Sequence, residues 1–384
     1  MIRETDVDKL LTTRADGPWI LSMCMRVPAD LPHLRGLPAR ADELLRQAAS
    51  GMEGQRQARP REWQWERRAV HRMLEVHARQ WLGNTVAMFA CDQIGLAQAF
   101  PLPYGLGDRA VLAARPHVRP LLVALQRCPS YHVAVVNRRH AWIFRITGTQ
   151  IDVIALPAAA GVPSHRYGGW YGLESHRVSA RVTELARHHW RETAAALLRT
   201  LPGGGSSPLV AGGHQETISS FLAELPGEVR ERFIGSFLVD PHSITAARVR
   251  ELSAPLVREW VGAREQDMVA QVLAGVPSGR GGIGLNSCLA AVNSGAVAAL
   301  IVPVGGLIPG MACDQCGMLS SVPDACPHKW PAVHPVPDLL EEMAVATRNE
   351  GGEVIAVDDP PADAAALLRF PLPQPPGQRL SVGR

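Results

Sequence analysis

The chain has 384 residues, 46% of them hydrophobic and 20% charged, a balance that excludes a wholly disordered tail, a collagen-like repeat and a multi-span membrane protein. With 39 basic and 36 acidic residues the formal net charge is only +3, so any affinity for nucleic acid has to come from local clustering. At roughly 100–200 residues per domain, the length predicts two or three domains, each large enough to bury a core without disulfides or metal.

A first helix is expected to end before Asp16-Gly17-Pro18, followed by a strand from Trp19 to Val27. Charged helical sequence runs from Ala39 to Trp81, interrupted near Gly51–Gly54 and Pro60, and Thr85–Cys91 reads as a second strand. Strand and helix alternate, so residues 1–128 are expected to form an α/β domain whose task the sequence does not reveal. Trp63 and Trp65 beside arginines are read as packing residues rather than base-stacking ones. Tyr131–Val136, a tight turn at Asn137-Arg138-Arg139, and Ala141–Ile146 form a hairpin, extended by a strand from Ile151 to Leu156. A loop rich in Gly, Pro and His, from Pro157 to Gly172, leads into a long helix from Leu173 to Leu201 that Pro202 and three glycines stop. A strand Leu209–Ala211, a Gly212-Gly213 turn, a helix Glu216–Leu225, a strand Ile234–Val239 and a helix Thr245–Gly262 complete a central domain, residues 129–260.

The third domain, residues 261–371, contains an uncharged segment from Gly281 to Cys313. Its length suits a bilayer crossing, but its glycines, prolines, serines and asparagines resolve it into a helix, Leu285–Asn293, and a buried strand after Gly295. A helix Pro337–Asn349 and strands Glu353–Val357 and Ala366–Phe370 follow, with a disordered Pro-rich tail expected over 372–384. The acidic N-terminus has no apolar h-region, which predicts a cytoplasmic protein without a secretory signal.

The segment that carries chemistry is His165-Arg166-Tyr167-Gly168-Gly169-Trp170-Tyr171-Gly172. Paired glycines allow a loop tip to approach another backbone closely. On the following helix Arg177, Arg181, Glu184, His188 and Arg191 recur at spacings of four and three, which puts them on one face, with Val178, Val182, Leu185, Ala194, Leu197 and Leu198 on the other. A basic stripe behind a glycine tip, flanked by His165 and Arg166, suits a protrusion that grips RNA phosphates. Gly212-Gly213-His214-Gln215 is read as a strand-to-helix turn instead.

In order, the hairpin, the Gly-Gly loop, the basic helix and the Leu-Val-Ala-Gly strand resemble the central domain of archaeo-eukaryotic class I peptide chain release factors and their relative Pelota. Gly284 to Val302, a helix, a glycine-alanine-valine turn and an apolar strand, is similar to their C-terminal domain. Bacterial members of that superfamily, the hibernation factor Balon among them, keep the two C-terminal domains and vary the first. The resemblance implies binding to the ribosomal A site, contact with ribosomal and transfer RNA, an elongation-factor GTPase as partner, and a monomer. In the release factors the loop reads Gly-Gly-Gln; here it reads Gly168-Gly169-Trp170. An indole cannot present the amide that positions the hydrolytic water, although its backbone N–H remains, and it offers a surface for stacking on a base. Ribosome hibernation or rescue is therefore expected ahead of peptidyl-tRNA hydrolysis, with a stress-linked protein-interaction module as the other alternative; no catalytic residue is assigned.

Cysteine usage divides in two. Cys24, Cys91, Cys128 and Cys288 lie in apolar segments and read as small buried hydrophobes. Cys313-Asp314-Gln315-Cys316-Gly317 is a CxxCG knuckle, and Cys326-Pro327-His328 follows about ten residues later. Three thiolates and a histidine close a tetrahedral structural zinc site, with His334 competing with His328 for the fourth corner. The resulting expectation is a multidomain, mixed-sheet α/β protein with a small zinc-knuckle-like insertion in its C-terminal domain.

Overall fold

A computed structural model describes residues 2–16, 20–50, 63–102, 105–148, 150–155, 172–201, 207–242, 244–328 and 332–372. The predicted loop tip, with His165, Arg166, Gly168, Gly169 and Trp170, and nearly all of the predicted tail lie outside these residues. The chain divides into two compact units: Met1–Arg127 with Arg264–Arg384, and Cys128–Ala263. The first and third regions marked out in the sequence fall within one unit.

In chain order the first unit opens with α1 (Glu4–Thr12), β1 (Ile20–Arg26), α2 (Leu37–Ser50), α3 (Gln64–His77), β2 (Thr85–Cys91), β3 (Leu96–Leu102), β4 (Arg109–Ala113) and α4 (Arg119–Arg127). The second unit contains β5 (Tyr131–Val136), β6 (Ala141–Thr147), β7 (Gln150–Ala155), α5 (Gly172–Thr200), β8 (Leu209–Gly213), α6 (Gln215–Ala223), α7 (Gly227–Arg230), β9 (Phe233–Leu238) and α8 (Ala246–Gly275) as far as Ala263. The first unit resumes with the rest of α8, then β10 (Gly281–Ile283), α9 (Leu285–Asn293), β11 (Val297–Pro303), β12 (Gly310–Cys313), β13 (Leu319–Ser320), β14 (Val333–Val336), α10 (Leu339–Asn349), β15 (Glu353–Val357) and β16 (Ala365–Leu368).

The second unit is a five-stranded mixed sheet in the order β7-β6-β5-β8-β9, antiparallel through the hairpins and parallel from β5 through β8 to β9. Central strands covered on both faces read as unbroken apolar runs rather than alternating ones, and β5 shows why. Tyr131, Val133 and Val135 pack with Val249, Val257 and Val261 of α8, while Ala134 and Val136 pack with Trp190, Ala194 and Leu197 of α5 and Phe221 of α6. Leu198, expected on the apolar face of α5, is 39% exposed; Ala186, Trp190 and Thr193 take the buried positions instead. The indole N–H of Trp190 donates to the main-chain oxygen of Asn137 at 3.1 Å, which ties α5 to the hairpin turn.

In the first unit β3-β2-β1-β4 form an antiparallel sheet. On one face Leu21, Met23 and Met25 pack against α2 and α3, with Trp63 buried among them and Trp65 partly buried alongside. On the other, Ile20, Cys24, Ala87 and Phe89 join Cys288, Leu300, Leu340 and Met343 in one core shared by both segments of the unit. A second sheet, β10-β16-β11-β15, pairs β11 with β15 in parallel. The helix expected to end at Gly262 runs on to Gly275 through Pro255, because Val272 buries itself against Ile301 and Ile355 of this sheet, with Met268 and Val269 packed alongside. Among the described residues no helix is long and apolar enough to cross a membrane, and the uncharged segment contains β10, α9, β11 and β12.

Candidate functional sites

Helix α5 starts at Gly172, directly after the Gly-Gly-Trp segment, and extends for 29 residues. Arg177 lies within it; Arg181, His188 and Arg191 are exposed along it. The stripe is less positive toward its distal half than the sequence spacing indicates. Glu224, entering from the end of α6, sits 2.7 Å from Arg191 and 3.9 Å from Arg187, Glu184 lies 3.7 Å from Arg187, and Glu192 lies 3.5 Å from His188. Arg181 is exposed and has no such acidic partner among the described residues. No local spacing rule could have found Glu224, since it is brought in from another helix.

Beside the stripe, α5 and α6 enclose a cleft of about 290 Å³ lined by Arg138, Arg187, Trp190, Glu216, Thr217 and Glu224. The Gly212-Gly213 pair completes β8 rather than forming a free loop. A Cβ at Gly213 would lie 2.5 Å from the main-chain oxygen of Val136, and one at Gly212 would meet the Phe237 ring at 2.7 Å. These glycines serve strand packing.

The cysteine cluster lies in the first unit beside the small antiparallel sheet β13-β12-β14. Cys313, Cys316, Cys326 and His328 bring their ligand atoms within 4.8 Å of one another. Cys313 Sγ is 3.5 Å from His328 Nδ1, Cys326 Sγ is 3.4 Å from the same nitrogen, and Cys316 Sγ is 3.5 Å from Cys326 Sγ. Zinc bonds of about 2.3 Å to sulfur and 2.0 Å to nitrogen, arranged tetrahedrally, demand ligand separations of about 3.5–3.8 Å, so the donor set fits that ion. Gly317, with φ of 74°, turns the knuckle, and its N–H donates to the Cys313 carbonyl at 2.8 Å. Desolvation pushes the Cys313 thiol up, but the N–H groups of Cys316 and Gln315 and the two neighbouring thiols outweigh it and bring it down to about 6. A thiolate is the form a metal binds. His334 is not part of the group: its Nε2 faces Asp314 at 3.3 Å, and Asp314 also takes Arg14. Elsewhere Cys24, Cys91 and Cys288 are buried as expected, whereas Cys128 is only half-buried, at the end of α4 where the chain leaves the helix. Burial drives Cys24 up to about 11 and Cys288 up to about 12, so both stay as thiols.

A polar cluster that no sequence motif signals joins α4 to α10. Arg119, fully buried, donates to Asp338 at 2.7 Å and to the Pro303 carbonyl at 2.8 Å. His117 Nε2 lies 2.9 Å from the same carboxylate. The two oxygens of Glu341 accept from the N–H groups of Val118 and Arg119 at 2.7 and 2.8 Å, so this carboxylate caps the start of α4. With those lone pairs committed and a guanidinium against Asp338, the cluster acts as a structural clasp, unsuited to a cation.

Residues 116–264 match the family model described as bacterial archaeo-eukaryotic release factor family 10. That segment is less than half of the chain and encloses the second unit, Cys128–Ala263. Over this segment the chain is similar to that bacterial release-factor family, with the second unit as the matched domain. Among solved structures it is similar to an archaeal translation termination factor, aRF1, at 14% identity over 96% of this chain and 99% of that one, with a TM-score of 0.25. It is similar to Dom34 of S. cerevisiae, a translation termination-like factor that interacts with Hbs1, at 9% identity over 77% and 82%, with a TM-score of 0.44. Archaeal Pelota from a ribosome-bound model with ABCE1 is similar at 15% identity over 76% and 79%, with a TM-score of 0.38. No curated protein matches the chain.

Proposed function

We propose that this protein is a ribosome-associated translation factor that presents the Gly168-Gly169-Trp170 loop to the A site and peptidyl-transferase region, acting in ribosome hibernation or rescue. The observation that carries the reading is the family match over the second unit, in which a 29-residue helix begins two residues after that tripeptide. Exposed Arg181 on the first half of α5 supports a phosphate-gripping role there, together with Arg177, His165 and Arg166. His188 and Arg191, farther along and beside Glu192 and Glu224, add orientation rather than net charge. Tryptophan in place of glutamine favours stacking on a base over placing a water, which makes peptidyl-tRNA hydrolysis the secondary reading. An elongation-factor GTPase as delivery partner and zinc at Cys313, Cys316, Cys326 and His328, holding the knuckle as a purely structural ion, belong to the same proposal.

The test is co-sedimentation of the full chain with 70S ribosomes on sucrose gradients across growth phases. Wild-type protein is expected in the 70S fraction, and Arg177→Glu with Arg181→Glu is expected to remove it. Binding indifferent to both substitutions would reject the assignment. A peptide-release assay with Gly169→Ala separates the hydrolase reading: release that depends on Gly169 would establish it.

A further inference from the structure

The turn closing the β5–β6 hairpin gathers polar atoms that the fold leaves unpaired. Asn137 is 9% exposed, and its Oδ1 accepts from the N–H groups of Arg139 at 2.7 Å and His140 at 2.6 Å. Two donors on that atom fix which end of the amide is oxygen. The amide nitrogen on the opposite arm, Nδ2, is buried without a partner among the described residues. The same holds for Arg139 Nη2, His140 Nδ1 and, from α5, Nε2 of the buried His189, whose ring is already hydrogen-bonded to the His140 main chain. Buried polar groups in folded proteins are nearly always paired, so four unpaired atoms around one turn call for an explanation.

The surroundings narrow what completes them. The turn lies at the carboxyl edge of the parallel strands, where Val136 of β5 is in register with Gly213 of β8 and Gly213 with Leu238 of β9. Ligands of open α/β sheets bind at that edge. Helix α6 begins there with His214 as an N-cap that makes no side-chain capping bond, and the His242 ring stands edge-on to His140 at 6.3 Å. The acidic groups on these edge turns are Glu216, 3.9 Å from Arg138, and Asp240, whose oxygen accepts from the His242 N–H. An amide N–H₂ and a guanidinium can only donate, which excludes a metal ion and calls for an acceptor. A phosphate presents three or four oxygens in different directions, whereas a carboxylate presents two in one plane.

We infer that the carboxyl edge of this sheet is a phosphate-binding site, in which Asn137 Nδ2, Arg139 Nη2 and the His140 imidazole donate to phosphate oxygens. The inference does not rest on the ribosome reading. The phosphate is either free, as inorganic phosphate or a monoester, or the diester of an RNA backbone.

The test titrates the full chain with inorganic phosphate and, separately, with a short oligouridylate, at ionic strength held constant with chloride, using calorimetry and the histidine ring resonances. Saturable binding of at least one probe is expected, with His140 among the resonances that move. Asn137→Asp keeps the oxygen that holds the turn and replaces the donor with an acceptor, and Arg139→Gln removes the guanidinium. Each is expected to weaken binding by about tenfold or more, the loss of one charge-assisted hydrogen bond, with the melting temperature near wild type. Tighter binding of the oligomer identifies the backbone diester, and tighter binding of inorganic phosphate identifies the free anion. The inference is overturned if neither probe saturates, or if folded Arg139→Gln binds both probes like wild type; that variant and His140→Gln decide the matter should Asn137→Asp not fold.

Discussion

Replacing Asp338 with alanine removes the centre of the clasp between α4 and α10. Its Oδ2 accepts from His117 and from Arg119 at 2.9 and 2.7 Å, and its Oδ1 accepts from the N–H groups of Leu340 and Ile308 at 3.2 Å each. Loss of the helix cap costs about 1 kcal/mol. Leaving the fully buried Arg119 cation without its carboxylate costs roughly 3–5 kcal/mol. The contributions overlap, so about 4 kcal/mol is expected, which lowers the melting temperature of a unit this size by roughly 8–16 °C. Arg119→Met combined with Asp338→Ala removes the stranded charge as well and should recover about 2 kcal/mol of the loss. Burial by itself would raise the Asp338 carboxyl, but His117 and Arg119 outweigh that and hold it below the usual carboxylate range. A depressed carboxyl contributes stability above its unfolded value of about 3.9 that is lost as pH falls through the folded value; Asp338→Ala should therefore flatten the acid limb of the stability curve. Denaturant and thermal unfolding at neutral and acid pH measure both effects. A single-variant cost below about 1 kcal/mol, or a double variant no more stable than the single one, would refute the reasoning.

The other expectations concern the knuckle and the second unit. Metal analysis of purified protein should find one zinc ion per chain, lost in Cys326→Ser but retained in His334→Ala, because His334 faces Asp314; equal zinc loss in both would return the fourth ligand to His334. His132 is buried, and desolvation, helped by Arg145 and Arg232, lowers its pKa to about 4. The unfolded chain then takes up a proton at higher pH than the folded one, so the second unit should lose stability as pH falls from about 6.5 toward about 4, and a stable His132→Gln variant should lack that slope. Gly213→Ala places a methyl against the Val136 carbonyl at 2.5 Å and should destabilise the β5–β8 pairing by roughly 1–3 kcal/mol, read by urea unfolding; an unchanged midpoint would count against the close-approach argument.

The sequence by itself determined those features that local periodicity encodes. Helix α9 was legible to the residue over Leu285–Asn293, and the β5–β6 hairpin and the long α5 were legible within a residue or two, because their apolar repeats and stop signals are confined to the segment itself. The Cys-x-x-Cys knuckle with its later cysteine and histidine was equally visible, since four donors fall within 16 residues of sequence. β3, β4 and α4 were missed: β3 has exposed and half-buried positions between its ends and a proline within it, so it carries little apolar pattern. Only the tertiary structure decided how charges combine. Glu224 reaches Arg191 from 33 positions away, and Asp338 reaches Arg119 from 219 away. Coulombic attraction and desolvation depend on distance and burial, which sequence spacing does not report beyond a turn or two of helix. The stripe on α5 could therefore be read from spacing, while its partial neutralisation, the choice of His328 over His334 and the unpaired turn at Asn137 became visible only when separate elements were packed together.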